Sequence, residues 1–432
     1  MSRTGTSTSD KTDKSSKSSK ANRTDRATIV GVGETRYARW GRIGDVTEHA
    51  LACEAILRAV ADAGLEIEDV DGLTSFAEDR NEAVFLAAEL GLPALRFANM
   101  VWMPGGGGGC AAVANAAMAV ETGQAEVVVV YRSLCQGQFF RFGSGGVDTD
   151  APAPAAPRPP TVQQADSLFL ASMGFVMPYG LLMAAAAYAL PTRRHMHLYG
   201  TTSEQLGRIA VTFREHANRN PRAVMHGRPM TIEDHQASPM IADPHRLFDC
   251  CLESDGACAV VVTTAERARD LRGTRVEILA SEQGAPGGYG FGPFSNANVA
   301  DELYATGGGE ELAARLWAKA GVGPSDVDVA QIYDHFTGCV LMQLEDFGFC
   351  ARGEGGAFVE SGALSSDGGS LPTNTHGGGL SEAYIHGLNH VVEGVRSLRG
   401  DSANPVDGAE VCLVTSGACV PVSYTHLRAH ET

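Results

Sequence analysis

The chain predicts an α/β fold built by duplication, five-layered as α-β-α-β-α, with an inserted loop or lid domain. Three observations carry this. Residues 61–73, ADAGLEIEDVDGL, line up with 318–330, AKAGVGPSDVDVA, each a helix end running into a strand. In each half a glycine-rich turn opens a helix (MPGGGGGC at 103–110, NTHGGG at 374–379), and a strand follows, AEVVVV at 125–130 and AEVCLV at 409–414. The first of these strands is apolar on both faces, as in a sheet covered on both sides. Two such halves leave two buried helices between two sheets.

In chain order, residues 1–26 are rich in Ser, Thr and Lys and read as a disordered tail. ATIVGVG at 27–33 is a short buried strand, and 46–63 is an Ala/Leu-rich helix stopped by Gly64. Residues 69–76 lead into a strand, 84–90 are helical, 95–102 are a strand, and the helix 111–122 closes at Gly123. Between 136 and 248 the alternation stops. DTDAPAPAAPRPP at 148–160 reads as loop, 169–199 and 203–218 as helices, and the whole as an insertion that covers a site. Residues 249–264 return to the sheet and 275–283 form a strand, so the N-terminal half is 27–135 plus 249–283 and the C-terminal half is 284–423. The last residues, YTHLRAHET at 424–432, are polar where an apolar strand is expected and read as an atypical, non-native tail.

Composition narrows the function. At 44% hydrophobic residues the chain has a real core, and no apolar run is long enough to cross a membrane. A net charge of −17 argues against a nucleic-acid partner and fits a cytoplasmic protein. The ten cysteines lack CxxC spacing and read as reduced core residues. Outside the tail the sole lysine is Lys319, on a surface-like helix, which removes Schiff-base chemistry from consideration. His195 and His197 diverge on a helix, so no metal site is assigned.

The chemistry concentrates in 371–400, LPTNTHGGGLSEAYIHGLNHVVEGVRSLRG, where a glycine-rich turn meets Glu382, Tyr384, His386 and His390, and in 331–350, which carries YDHF. With IVGVGETRY at 29–37 and QLEDFGFCARGEGGAFVE at 343–360, these stretches resemble the thiolase superfamily, and within it the thiolase-like lipid-transfer proteins and sterol-carrier-type thiolases, over residues 27–421.

The resemblance implies positions for the thiolase groups, and this chain departs at each one. The nucleophilic cysteine falls at Gly106, the histidine of the G-H-P-x-G motif at Tyr384, the second cysteine at Thr415, and the residue opening the N-E-A-F motif at Tyr333. Cys110, four places beyond Gly106, reads as core. A covalent acyl-cysteine mechanism is therefore not expected. The pattern is similar instead to the thiolase-like aldolases of steroid side-chain degradation, which cleave a β-hydroxyacyl-CoA to a ketone and a shorter acyl-CoA. Such a step needs a base for the β-hydroxyl proton and an acid for the enolate. Tyr384 and Tyr333 fill these roles in either order, with His335 tuning them and Asp334, Glu382 and His376 in support. Phenols titrate near pH ~10, so a phenolate base needs nearby donors. Backbone N–H groups of Gly106, Gly107, Gly108 and Gly109, and of Gly377, Gly378 and Gly379, supply an oxyanion hole, and His386 touches substrate. The resemblance further implies a homodimer, a small OB-fold/zinc-ribbon partner, and no cofactor beyond the CoA of the substrate. The alternatives are a thiolase-type acyltransferase and a catalytically inactive acyl-CoA-binding subunit.

Overall fold

The computed structural model describes residues 26–77, 79–101, 105–136, 174, 176–181, 183–271, 273–288, 299–301, 303–418 and 422–429. The expected N-terminal tail through residue 25, the loop at 148–160 and the start of the helix expected at 169–199 lie outside them.

Nine strands matter here: β1 (Ala27–Glu34), β2 (Gly72–Phe76), β3 (Phe97–Val101), β4 (Val127–Cys135), β5 (Ser254–Thr264), β6 (Val276–Gly284), β7 (Val329–Gln331), β8 (Val411–Ser416) and β9 (Val422–Ala429). With the short Ala38–Arg39 strand on β5 they form one mixed sheet in the order β7-β8-β9-β6-β1-β5-β4-β2-β3. The duplication is visible in this order. β2, β4, β5 and β1 run parallel, then antiparallel twice, and β7, β8, β9 and β6 repeat the same senses. β1 and β6, which head the two halves, meet antiparallel through Thr28 opposite Glu277 and Ile29 opposite Val276.

The layers follow from which faces are apolar. α1 (Glu48–Asp62) covers the outer face of the first half, with Leu51, Ala55, Ile56 and Ala59 buried against Val127, Val129 and Val261. α2 (Gly109–Glu121) and α9 (Leu388–Arg399) lie inside and share one core with strand residues of both halves. The outer face of the second half packs on α6 (Glu310–Ala320) and the fully buried α7 (Thr337–Asp346). Between β4 and β5 in the chain come α3 (Ala184–Tyr199), α4 (Ser203–Arg219) and α5 (Ile232–Ala237); Tyr188, Leu206, Ile209 and Phe213 of the first two join the second half's outer core. Among the described residues no helix is long and apolar enough to cross a membrane.

Two sequence expectations are corrected. β6, assigned to the first half, is hydrogen-bonded along its length to β9 and only by two residues to β1, so it is the first strand of the second half. The polar ending is an interior strand: β9 lies between β8 and β6, with Tyr424 and Leu427 buried on opposite faces in two different cores. A strand filled on both faces lacks the simple alternation sought in the sequence. His426 is buried against Trp317, ring centroids 4.4 Å apart, with neither ring nitrogen hydrogen-bonded.

The glycines of IVGVG are explained by α1. A Cβ on Gly31 would lie 2.1 Å from the Ala59 carbonyl oxygen, and one on Gly33 2.3 Å from that of Ala55. Gly31→Ala will therefore push β1 off α1 and lower stability by about 1–3 kcal/mol, measured as a fall in the chemical-denaturation midpoint.

Candidate active site

Past β7 the chain continues as residues 332–336 beside 373–376, and side chains serve as the ladder. Ile332 N–H donates to Asn374 Oδ1 at 2.7 Å, and Asn374 Nδ2 donates to Ile332 O at 2.8 Å. Tyr333 N–H donates to Thr415 Oγ1 at 2.8 Å, the Thr415 hydroxyl donates to Gln343 Oε1 at 2.7 Å, and Gln343 Nε2 returns to Tyr333 O at 2.8 Å. This closed ring fixes the tyrosine backbone from β8 and α7 together.

Asp334 joins the second stretch. Its buried carboxylate accepts from Gly379 N–H at 2.8 Å and Leu380 N–H at 3.1 Å, capping α8 (Gly378–Ser381), and lies 3.1 Å from His390 Nε2. A negative group suits exposed amides at a helix start. Tyr384 follows α8, its N–H held by Ser254 Oγ at 3.1 Å. Gly387, at φ 81°, then opens α9, and a Cβ there would lie 2.8 Å from the Tyr333 ring.

The two phenols meet. Tyr333 Oη and Tyr384 Oη are 2.5 Å apart, and Gly106 N–H donates to Tyr333 Oη at 3.1 Å. Burial pushes both phenols above their ordinary range. Tyr384's hydroxyl and the Gly106 amide act against this at Tyr333, so Tyr333 is the better seat for negative charge. The ring lies where a side chain at 106 would go: a Cβ there would be 2.1 Å from Tyr333 Cε2 and 2.2 Å from Oη. Cys110 is in the core beside Ser416, its thiol pushed by burial to about 11.

Other expected groups are placed differently. Gly377 N–H donates to Asn374 O and Gly379 N–H to Asp334, so these two amides of the second turn are already engaged and face no substrate oxygen. At the first turn, Gly107 O accepts from the Ser423 hydroxyl at 2.7 Å, and Gly108 and Gly109 pack against Phe76 and Ser416. His335 makes ring contact with Tyr333, centroids 4.9 Å apart, but no hydrogen bond to either phenol. His386, at φ 49°, has Nδ1 2.9 Å from Arg132 Nη2, and burial with Arg132 and Arg80 holds it well below the usual imidazole range. Because guanidinium only donates, Nδ1 accepts and the ring proton is on Nε2. Glu382 points away from the phenols, accepting from Asn220 at 2.9 Å and Asn389 at 3.1 Å; burial raises its pKa, with Glu34 and Glu393 adding to it. His376 is buried 3.6 Å from Glu382.

Sequence reasoning missed four supports. Arg132, paired to Asp79 at 2.8 Å, orients His386; Ser254 and Gln343 anchor the two tyrosine backbones; and Tyr188 of α3 meets His335 edge-on, centroids 4.3 Å apart. Arg132, Ser254 and Tyr188 stand in no local motif and are brought in from distant elements; Gln343 lies in the 343–360 stretch, but only the fold turns it back onto Tyr333. Only Thr415 was marked, through the family position it fills.

A duplicated sheet enclosing two helices, with a phenol pair over the glycine turn at the start of the first, defines a thiolase-fold enzyme whose thiol has been replaced. The family model described as "Thiolase C-terminal domain-like" matches residues 297–426. The 17-hydroxy-3-oxo-4-pregnene-20-carboxyl-CoA lyase of Mycobacterium tuberculosis is 47% identical over 399 residues, covering 92% of this chain and 97% of that protein. The steroid side-chain-cleaving aldolase of Thermomonospora curvata is 44% identical, covering 92% and 96%. The solved structure titled Ltp2-ChsH2(DUF35) aldolase superposes with a TM-score of 0.84 at 41% identity, covering 94% of this chain and 99% of that one. The chain belongs to the steroid side-chain-cleaving aldolases, carbon–carbon lyases of thiolase fold.

Gly106→Ala will force the Tyr333 ring aside and part the phenols. A displacement of about 1 Å costs on the order of 10²-fold in rate, to be read as kcat/KM for aldol cleavage, with the folded state checked by circular dichroism.

Proposed function

We propose that the chain cleaves a β-hydroxyacyl-CoA by a retro-aldol reaction in which Tyr333 and Tyr384 move the proton. The observation that supports this most is the 2.5 Å contact between phenols in the place where an acyl-accepting thiol would lie. A substrate of the class named for the M. tuberculosis relative, a 17-hydroxy steroid with a 20-carboxyl-CoA, has its hydroxyl β to the thioester. Breaking the bond between the α- and β-carbons leaves a ring ketone and propionyl-CoA; a side chain without the α-methyl gives acetyl-CoA.

Both phenols are raised by burial, so the working form has both protonated. Tyr333 takes the β-hydroxyl proton as it passes its own to Tyr384, and Tyr384 passes its own to the α-carbon. The electron pair of the broken bond travels through the thioester enolate and ends in the new C–H bond. Every proton is conserved and both tyrosines finish as they began. The Gly106 N–H supports the charge that builds on Tyr333. The acyltransferase reading is less favoured, since Gly106 leaves the family's nucleophile position without a thiol and the Cys110 thiol is buried beside Ser416.

In its working state the chain pairs with a small OB-fold/zinc-ribbon protein, a reading supported by the joint title of the Ltp2-ChsH2(DUF35) structure; a homodimer is what the family resemblance implies. Incubating the chain, alone and with such a partner, with the 17-hydroxy thioester will release ketone and propionyl-CoA, followed by mass spectrometry. Tyr333→Phe and Tyr384→Phe will each lower kcat/KM by roughly 10²–10⁴-fold with acyl-CoA still bound; cleavage indifferent to both changes would sink the assignment.

The pH profile separates the relay from a phenolate base. If a phenolate were the working form, a raised pKa would leave it scarce at neutral pH, and kcat/KM would climb about tenfold per pH unit up to that pKa. A neutral relay predicts a flat profile between about pH 6.5 and 9, and that is the expected outcome.

A further inference from the structure

His335 stands inside the site and bonds to nothing: both ring nitrogens are buried with no hydrogen-bond partner among the described residues. Neighbouring histidines are committed. His390 faces Asp334 at 3.1 Å, His245 faces Thr192 Oγ1 at 3.1 Å, His235 faces Asp249 Oδ1 at 2.9 Å and His195 faces Glu345 at 3.0 Å. His376, also without a hydrogen bond, sits beside the Glu382 carboxylate and meets the His390 ring, and no ring contact joins it to either phenol among the described residues. A buried polar ring left unpaired is unfavourable and calls for a partner that arrives later.

The surroundings of His335 say which partner. Its ring contacts Tyr333, Tyr188 from α3 and Phe336, with centroids 4.9, 4.3 and 4.9 Å away. It therefore touches both the phenol that takes the β-hydroxyl proton and the helix α3. Burial holds its pKa down to about 3, so the ring is neutral, with one N–H to give and one lone pair to receive.

We propose that His335 binds the substrate directly, hydrogen-bonding the β-oxygen as a hydroxyl before cleavage and as the ring ketone after it. The proposal rests on the aldolase reading above, and it assigns His335 to the substrate oxygen and not to tuning the phenols. Of the substrate's polar points, the β-oxygen is the one Tyr333 must reach, and Tyr333 is the phenol in contact with the His335 ring.

The test uses the full chain with its partner on a Tyr384→Phe background, which slows turnover. Isothermal titration compares a 17-hydroxy steroid 20-carboxyl-CoA with its 17-deoxy counterpart. With His335 present the hydroxy ligand binds about tenfold more tightly, the worth of one well-made hydrogen bond in a buried site. His335→Phe abolishes that preference and leaves the deoxy affinity unchanged, and His335→Gln, which keeps a donor and an acceptor, restores part of it. His335→Phe also melts at or above the parent temperature, because two unpaired nitrogens leave the core. Equal loss for both ligands, a preference that survives the Phe variant, no preference in the parent, or a drop of several degrees in Tm on His335→Phe would each overturn the proposal. The aldolase reading is scored separately, by ketone release from the protein with both tyrosines intact.

Discussion

The site depends on the Asp334 carboxylate. Tyr333 and Tyr384 sit 51 residues apart in the chain on segments with no ladder between them at the phenols. Asp334 bridges the gap by accepting the first amides of α8 and facing His390 on α9, all within a volume closed to water. A Cβ on Gly378 would fall 2.0 Å from its Oδ2, so the glycine turn exists to let the carboxylate in, and its amides serve the fold before they serve any substrate. Truncating a buried carboxylate with three partners leaves those partners unpaired, which is the larger part of its cost.

That arrangement changes how the chemistry is supported. In water a phenol is a weak base, and charge relief around it is the usual remedy. Here desolvation is the largest influence on both phenols and acts against charge. A dry pair of hydroxyls in short contact is well suited to passing protons in concert, because neither phenol has to hold a full charge. Tyr188 of α3 adds a further ring edge-on to the histidine beside the pair.

Much of the fold was legible in the chain because duplication writes the same signals twice. The DVDGL and DVDVA segments and the two AEV strands mark equivalent strands, and the structure pairs them in equivalent senses. What was not legible follows from burial on two faces. β9 reads as polar because Thr425 and His426 are carried inward with Tyr424 and Leu427, and β6 was credited to the wrong half because a strand's partner is chosen in space. The tyrosines could be found because glycine turns and a recognisable motif bracket them. Arg132, Asp79, Ser254 and Tyr188 could not, since each reaches the site from an element with no chemical signature of its own.

Gly106 and Tyr333 also bear on how such a site arises. The phenol and any side chain at 106 compete for one volume, so the thiol-bearing and phenol-bearing sites are mutually exclusive states of one scaffold. A single substitution in either direction yields a clash or an empty hollow. Once the exchange is made, the steric exclusion acts as a ratchet: the aldolase drifts freely elsewhere, but the old nucleophile is barred from returning until the tyrosine has gone.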